Sequence, residues 1–265
     1  MKINILGVKI DKINQSEALK QIERWIWNPG KHYIVTPNLE FILAAQKDLE
    51  FKQILNKADL SIPDSSSLGF SYWLLKRKYW ERLILWPLFF VPLKQLIQFD
   101  RVSGTDLMDA LCKLSAEKGF VTGFLGGQGK VAKRCAECLQ KKYPKLKIAF
   151  AESGGEINRN GNMTADCRLP TTVEDGSLKP VDLLFVAFGH IKQEKWIDNN
   201  LDKIPVRVAI GVGGAFDYLS ASVPRAPKVL RKLGFEWLFR LMIQPWRLKR
   251  QLALLKYLWL LTRAG

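Results

Sequence analysis

Histidine is almost absent from this chain: two residues, His32 and His190, in 265. Cysteine is scarce as well, at four. That is far from the dense disulfide framework a small secreted domain needs, so a reducing compartment is the default expectation. Cys135 and Cys138 are spaced CxxC, but the surrounding KVAKRCAECLQKK reads as a helix interior. With no second ligand pair and no clustered histidines, they are read as ordinary thiols rather than a zinc site. Long apolar runs are missing too. No stretch reaches the roughly 20 residues of a spanning helix, and MKINILGVKID lacks the apolar core and cleavage site of a signal peptide. The expectation is a soluble or peripheral protein. Acidic residues are the other shortage: 25 Asp and Glu stand against 41 Lys and Arg, a net charge of +16. An anionic partner follows, and nucleic acid, acidic lipid head groups or a diphosphate substrate would each satisfy it.

What is present is the balance of a folded domain, 48% hydrophobic and 25% charged, long enough to bury a sizeable core. Strand and helix signals alternate. Ile3 to Ile10 reads as a strand, Ser16 to Trp27 as a helix, and His32 to Val35 as a short strand ending in TPN. Leu39 to Ala58 has helical apolar spacing, and DLSIP is strand-like and stops at Asp64. Thr105 to Lys118 reads as a helix. FVTGFLGG, Lys130 to Lys142 and LKIAFAES then form a strand, a helix and a strand. VDLLFVAFG and RVAIGVGGAFD are near-continuous apolar strands of the kind buried on both faces of a parallel sheet. The pattern predicts an α/β fold with a Rossmann-like, mostly parallel, doubly wound sheet flanked by helices. Ligands of such sheets sit at the carboxyl ends of the strands, where the TPN, PDS, GGQG and GHIKQE segments fall.

Three stretches depart from that rhythm. Glu156 to Pro180 is polar and reads as an extended loop. Arg82 to Asp100 contains eleven consecutive apolar residues, Leu83 to Leu93, interrupted by two prolines. This is read either as a buried hairpin or as an interfacial wedge, with the wedge slightly favoured. From Arg225 onward there are ten basic residues and one acid. Trp237, Trp246 and Trp259 are interleaved, and Lys249, Lys256 and Arg263 recur beside a stripe of Leu248, Leu252, Leu255 and Trp259. Such a pattern suits an interfacial helix on an anionic membrane, although a solvated basic face on a packed helix would also give it. The domain reading is a catalytic unit over 1–220, with an apolar insertion at 82–100, and a basic amphipathic appendage over 221–265.

Two features suggest chemistry. Asp64 stands between a strand end and Ser65-Ser66-Ser67, where a lone Asp is ordinarily a helix N-cap. A carboxylate at that edge of a parallel sheet can also serve as a general base. The Gly127-Gln128-Gly129-Lys130-Val131-Ala132 run resembles a dinucleotide fingerprint, in which a helix N-terminus and bare backbone approach a diphosphate. It points to a nucleotide without separating NAD from a nucleotide sugar. No Asp-x-Asp pair, the device many sugar-nucleotide transferases use to hold a cation on the diphosphate, occurs in the chain. Arg, Lys and helix N-termini are left to carry that charge.

Taken in order, TPN (36–38), ADLSIPD (58–64), RVSGTDLM (101–108), GFLGG (123–127), DLLFVAFG (182–189), KQEKWI (192–197), GVGGAFD (211–217) and RAPKVLRKLGFEWLFRL (225–241) resemble the WecG/TagA/CpsF glycosyltransferase family over nearly the whole chain. The resemblance implies an inverting, metal-independent transfer of a sugar from a UDP donor to a polyprenyl-diphosphate-linked sugar acceptor, in teichoic-acid or exopolysaccharide synthesis. No cofactor or metal is implied, the UDP-sugar being a substrate. N-acetylmannosamine is the leading sugar, with UDP-ManNAc uronic acid and UDP-glucose as alternatives. By resemblance Asp64 is the catalytic base, Arg101 stands near the leaving diphosphate, and Thr36, Asn38 and Gln193 line the pocket. Gly126 and Gly127 border the nucleotide, and Arg225 and Arg231 are carried over the site by an appendage docked on the cytoplasmic face of the membrane. The chain departs from the family pattern at Ser65, where Gly is usual, at Ile191, where Pro is usual, and in the insertion before Arg101. A Rossmann NAD-dependent oxidoreductase, argued from the glycine run and Glu152, and a nucleic-acid-binding protein, argued from the charge, are the alternatives from other classes. The sequence leaves homo-oligomer formation open.

Overall fold

A computed structural model describes residues 1–90, 99–162, 180–224, 226–227, 230, 236–243 and 248–264. The first departure from expectation is at the N-terminus. Ile3 to Ile10 is not one strand but an antiparallel hairpin, β1 (Lys2–Ile5) and β2 (Val8–Asp11), apart from the main sheet. The chain reverses at Leu6 and Gly7, both at positive φ (50° and 84°), the geometry of a tight I′-type turn. The Asn4 side chain accepts the Gly7 amide at 2.7 Å, and Asn56 both accepts from the Lys9 amide and donates to the Gly7 carbonyl.

The remaining strands build one parallel sheet. β3 (His32–Val35), β4 (Leu60–Ser61), β5 (Val121–Gly126), β6 (Lys147–Glu152), β7 (Val181–Ala187) and β8 (Val206–Gly211) lie in the order β4-β3-β8-β7-β5-β6. The apolar runs of β7 and β8 are thus central strands covered on both sides. Successive residues of β7 enter different cores, Leu184 and Val186 on one face, Leu183 and Phe185 on the other. The first face carries the hairpin with α2 (Leu39–Ala45), α3 (Leu49–Lys57), α4 (Ser66–Leu75) and α8 (Lys192–Asn200). The second carries α1 (Gln15–Trp27), α6 (Gly104–Lys118), α7 (Val131–Lys142) and α9 (Ala215–Leu219). The doubly wound α/β expectation holds.

The single helical segment expected over Leu39 to Ala58 is two helices. Asp48 breaks it by accepting the Phe51 amide at 2.9 Å as the N-cap of α3. The described part of the apolar insertion is not a hairpin either. It is α5 (Tyr79–Leu85) followed by a 3₁₀ turn over Trp86–Phe90, with Pro87 early in that turn, where its missing N–H is tolerated. Leu85, Trp86, Leu88 and Phe89 pack on the first core, while Leu83 and Ile84 face solvent. The chain returns at Phe99, whose ring takes the place a side chain on Gly69 would need. In the polar loop, Asn158 accepts the amides of Asn160 and Asn162, and residues 163–179 lie outside the described set.

Two further helices close the described chain, α10 (Glu236–Ile243) and α11 (Leu248–Arg263). Tyr257, Leu258 and Leu261 of α11 are buried in the first core, and the Tyr257 hydroxyl donates to Ser71 Oγ at 2.6 Å. No helix among the described residues is long and apolar enough to cross a membrane.

Candidate active site

The chain leaves β3 toward the first face, through α2, and leaves β8 toward the second, through α9. Adjacent strands with diverging exits open a crevice at their carboxyl ends, where ligands of doubly wound sheets bind. Three loops meet beside it. The Asp64 amide donates to the Pro37 carbonyl (3.1 Å) and the Val102 amide to that of Pro63 (2.9 Å). Arg101 Nε donates to the Asp64 carbonyl at 2.9 Å. Thr36, Asn38, Asp64 and Arg101, distant in sequence, are therefore drawn into one place by backbone bonds between their loops.

Asp64 is not the cap of the helix that follows it. That task falls to Ser65, whose hydroxyl accepts the Ser67 amide. The Asp64 carboxylate Oδ1 instead accepts the amide of Gly104, the first residue of α6, at 2.9 Å. It has a capping bond, but to a helix forty residues away, so the cap and base readings are compatible. Asn38 caps α2, its Oδ1 accepting from Glu40 and Phe41. Buried Thr36 donates its hydroxyl to the Gly211 carbonyl at 3.1 Å, stitching β3 to β8 across the crevice.

Gln193 is buried and both ends of its amide are engaged. Its Oε1 accepts the Gly213 amide at 3.1 Å, and its Nε2 donates to Glu194 Oε1 at 2.6 Å. Glu194, fully buried, also accepts the Ile191 amide at 2.7 Å. Ile191 is a β-branched residue at φ 73°, a strained geometry concentrated at functional sites. Burial pushes the Glu194 carboxyl up to about 8, against the pull of hydrogen bonds from Gln193, its own backbone and Ile191. Gly211 has no room for a side chain, since a Cβ there would lie 2.7 Å from Gln193 Nε2 and 2.8 Å from Glu194 Oε1. Sequence reasoning quoted Glu194 within KQEKWI without singling it out. The available signal was an acid three residues after the N-cap Ile191, the capping-box position.

Gly126 ends β5 at the same sheet edge and Gly127 follows it. A Cβ on Gly126, at φ 109°, would lie 2.6 Å from the Ala187 carbonyl carbon, and the Gly127 amide donates to the Ala187 carbonyl. This close approach to β7 accounts for Gly126 without a dinucleotide. The CxxC pair lies within α7, Cys135 buried and Cys138 exposed. Arg225 and Arg231 fall outside the described residues.

The fold and site define an α/β protein with a crevice at the carboxyl edge of a parallel sheet, ringed by the starts of α2, α6 and α8. Residues 3–265 match the model of the glycosyl transferase WecG/TagA/CpsF family, and the chain belongs to that family. Among curated relatives, it is 29% identical over 235 residues to the N-acetylglucosaminyldiphosphoundecaprenol N-acetyl-beta-D-mannosaminyltransferase of Bacillus subtilis (strain 168), covering 86% of this chain and 80% of that protein. It is 26% identical over 265 residues to the protein of the same name from Staphylococcus aureus (strain MRSA252), covering 99% and 93%. The enzyme class is therefore glycosyltransferase, and the oxidoreductase and nucleic-acid-binding readings give way to it.

Proposed function

We propose that this glycosyltransferase moves N-acetylmannosamine from UDP to a polyprenyl-diphosphate-linked N-acetylglucosamine, with inversion and without a metal ion. The observation that carries the reading is the convergence of Thr36, Asn38, Asp64 and Arg101 at the β3/β8 crevice. The names of the relatives support the sugar and the acceptor. In the proposed step the acceptor hydroxyl oxygen bonds to the donor's anomeric carbon as the bond from that carbon to the UDP diphosphate oxygen breaks. Asp64 takes the hydroxyl proton, and UDP leaves with the electron pair. Charge developing on the diphosphate is met by Arg101, by Arg225 and Arg231, and by the start of α6. Asn38 lines the pocket, Gln193 holds its wall from beneath through the Gly213 amide, and Gly126 and Gly127 border the nucleotide. The enzyme works as a peripheral protein on the cytoplasmic face of an anionic membrane.

Asp64→Asn is the direct test, because its amide oxygen can still accept from Gly104 while its base function is gone. With UDP-ManNAc and a GlcNAc-diphosphate-lipid acceptor, read by mass shift, turnover is expected to fall at least about 100-fold with the melting curve unchanged. Near-normal turnover sinks the assignment of the base. Wild-type transfer persists in excess EDTA, and strict metal dependence counts against an arginine-held diphosphate. Parallel reactions with UDP-glucose and UDP-ManNAc uronic acid decide the donor.

A further inference from the structure

Of the eleven large hydrophobic residues left exposed among the described residues, eight lie on α5, α10 and α11. Two of these helices, α5 and α11, pack against each other. Arg82 of α5 reaches over to donate to the carbonyl of Ala264, at the end of α11. On α5 the exposed residues are Tyr79, Trp80, Leu83 and Ile84, at 58, 59, 47 and 66%. Their spacing puts all four on one side of the helix, and Leu85 packs on the core from another. Helix α11 is divided in the same way. Tyr257, Leu258 and Leu261 are buried, whereas Leu255 and Trp259, one turn apart, remain half exposed. Packing among the described residues therefore accounts for one side of each helix and leaves a second apolar side exposed, which is unusual for a surface that water alone would meet.

The rim of this surface is basic. Exposed Lys76, Arg77 and Lys78 lead directly into α5, and Arg263 lies over the Trp259 ring at 4.2 Å. Tyr and Trp beside Lys and Arg, around an aliphatic centre, match the layered chemistry of an anionic lipid interface: acyl chains, glycerol level, phosphates. Neither helix is built to cross a bilayer, so the fit is to its surface layer. The excursion bearing α5 also starts and ends at the site, leaving after Asp64 and returning through Phe99 to Arg101.

We propose that α5 is a second lipid-contacting element, carried by the catalytic unit itself, which inserts Trp80 and Ile84 among anionic lipids beside Leu255 and Trp259 of α11. Membrane attachment is then two-point, and the insertion places the crevice next to the bilayer that holds the acceptor. This rests on the proposed use of a lipid-linked acceptor.

The test compares the full chain with its Trp80→Ser/Ile84→Ser variant by co-sedimentation with vesicles of phosphatidylglycerol and phosphatidylcholine in about equal parts. Trp27→Ser, an equally exposed tryptophan on the opposite face of the sheet, is the control. The double variant is expected to bind at least about tenfold more weakly, the effect of removing two lipid-buried apolar side chains, while the control binds as wild type. Both should melt as wild type, and a short-chain, water-soluble acceptor should be used by the double variant at the wild-type rate. Unchanged vesicle binding overturns the proposal. So does a dimer of the wild type that the double variant breaks without losing vesicles, since the face would then be a self-association surface. Failure of the wild type on the soluble acceptor counts against the proposed transfer and leaves the vesicle result standing by itself.

Discussion

Glu194 is a fully buried carboxyl held between two N–H donors, the amide of strained Ile191 and the side chain of Gln193. Its pKa, raised by burial from an ordinary 4.5 to about 8, gives stability a definite pH dependence. In that interval the folded chain keeps a proton that the unfolded chain has released. Stability therefore falls as pH rises from 4.5 toward 8, by up to about 1.4 kcal/mol per pH unit for one proton. The Tyr33 hydroxyl, on β3, is the neighbouring titratable group, and burial and Glu194 itself push it upward, out of this window. Urea denaturation at several pH values should show that slope in the wild type and a flatter one in Glu194→Gln. Equal slopes would mean that the carboxyl ionises as freely in the folded chain as in the unfolded one. Gly126 is a second residue with a definite expectation. A methyl group there meets the Ala187 backbone and must adopt φ 109°, so Gly126→Ala should cost at least about 1–3 kcal/mol. A variant as stable as wild type would show that β5 and β7 can part at no cost. Asp64 was legible in sequence as a residue of interest, but not its bond to Gly104, because local spacing carries no information about a helix forty positions on.

Among the elements, the strands were the most legible. Those ending at Val35, Gly126, Ala187 and Gly211 are short apolar runs leading into glycine or TPN, and burial on both faces leaves them little other choice. The hairpin at Leu6-Gly7 was not legible, since Leu is a poor I′ residue and the turn is held by Asn4 and by Asn56, forty-nine positions from Gly7. The break between α2 and α3 left a clear mark in Asp48, a cap residue, masked by continuous helical spacing around it. Asp48 has a second task, pairing at 2.9 Å with Lys195 of α8, which is itself held by Glu50. Asp48→Ala removes the cap and half of that clamp on a nearly buried cation, so a loss of about 1–3 kcal/mol is expected in urea denaturation. A loss below about 0.5 kcal/mol, the scatter of a neutral surface change, would show that Glu50 alone holds Lys195.

At the scale of the whole molecule, the C-terminal helix has two faces with separable duties. Read from sequence, α11 belongs to an appendage with a basic, lipid-directed surface. In the fold its inward residues also complete the core beneath α2 and α4. Deleting it would remove the lipid contact of α11 and also uncover Ser71 and Phe89, which Tyr257 meets, so weakened membrane binding by a truncated chain would be ambiguous. Point substitutions separate the two duties. Tyr257→Ala empties a fully buried site and takes from Ser71 Oγ its hydroxyl donor, leaving only the bond of Ser71 to the Ser67 carbonyl. It should cost about 3–5 kcal/mol, while the outer face stays intact. Leu255→Ser/Trp259→Ser alters only half-exposed side chains, and should stay within about 0.5 kcal/mol of wild type while weakening vesicle binding. If the outer pair proved as destabilising as the inner residue, both sides of α11 would be structural, and the lipid contact would have to rest on α5 alone.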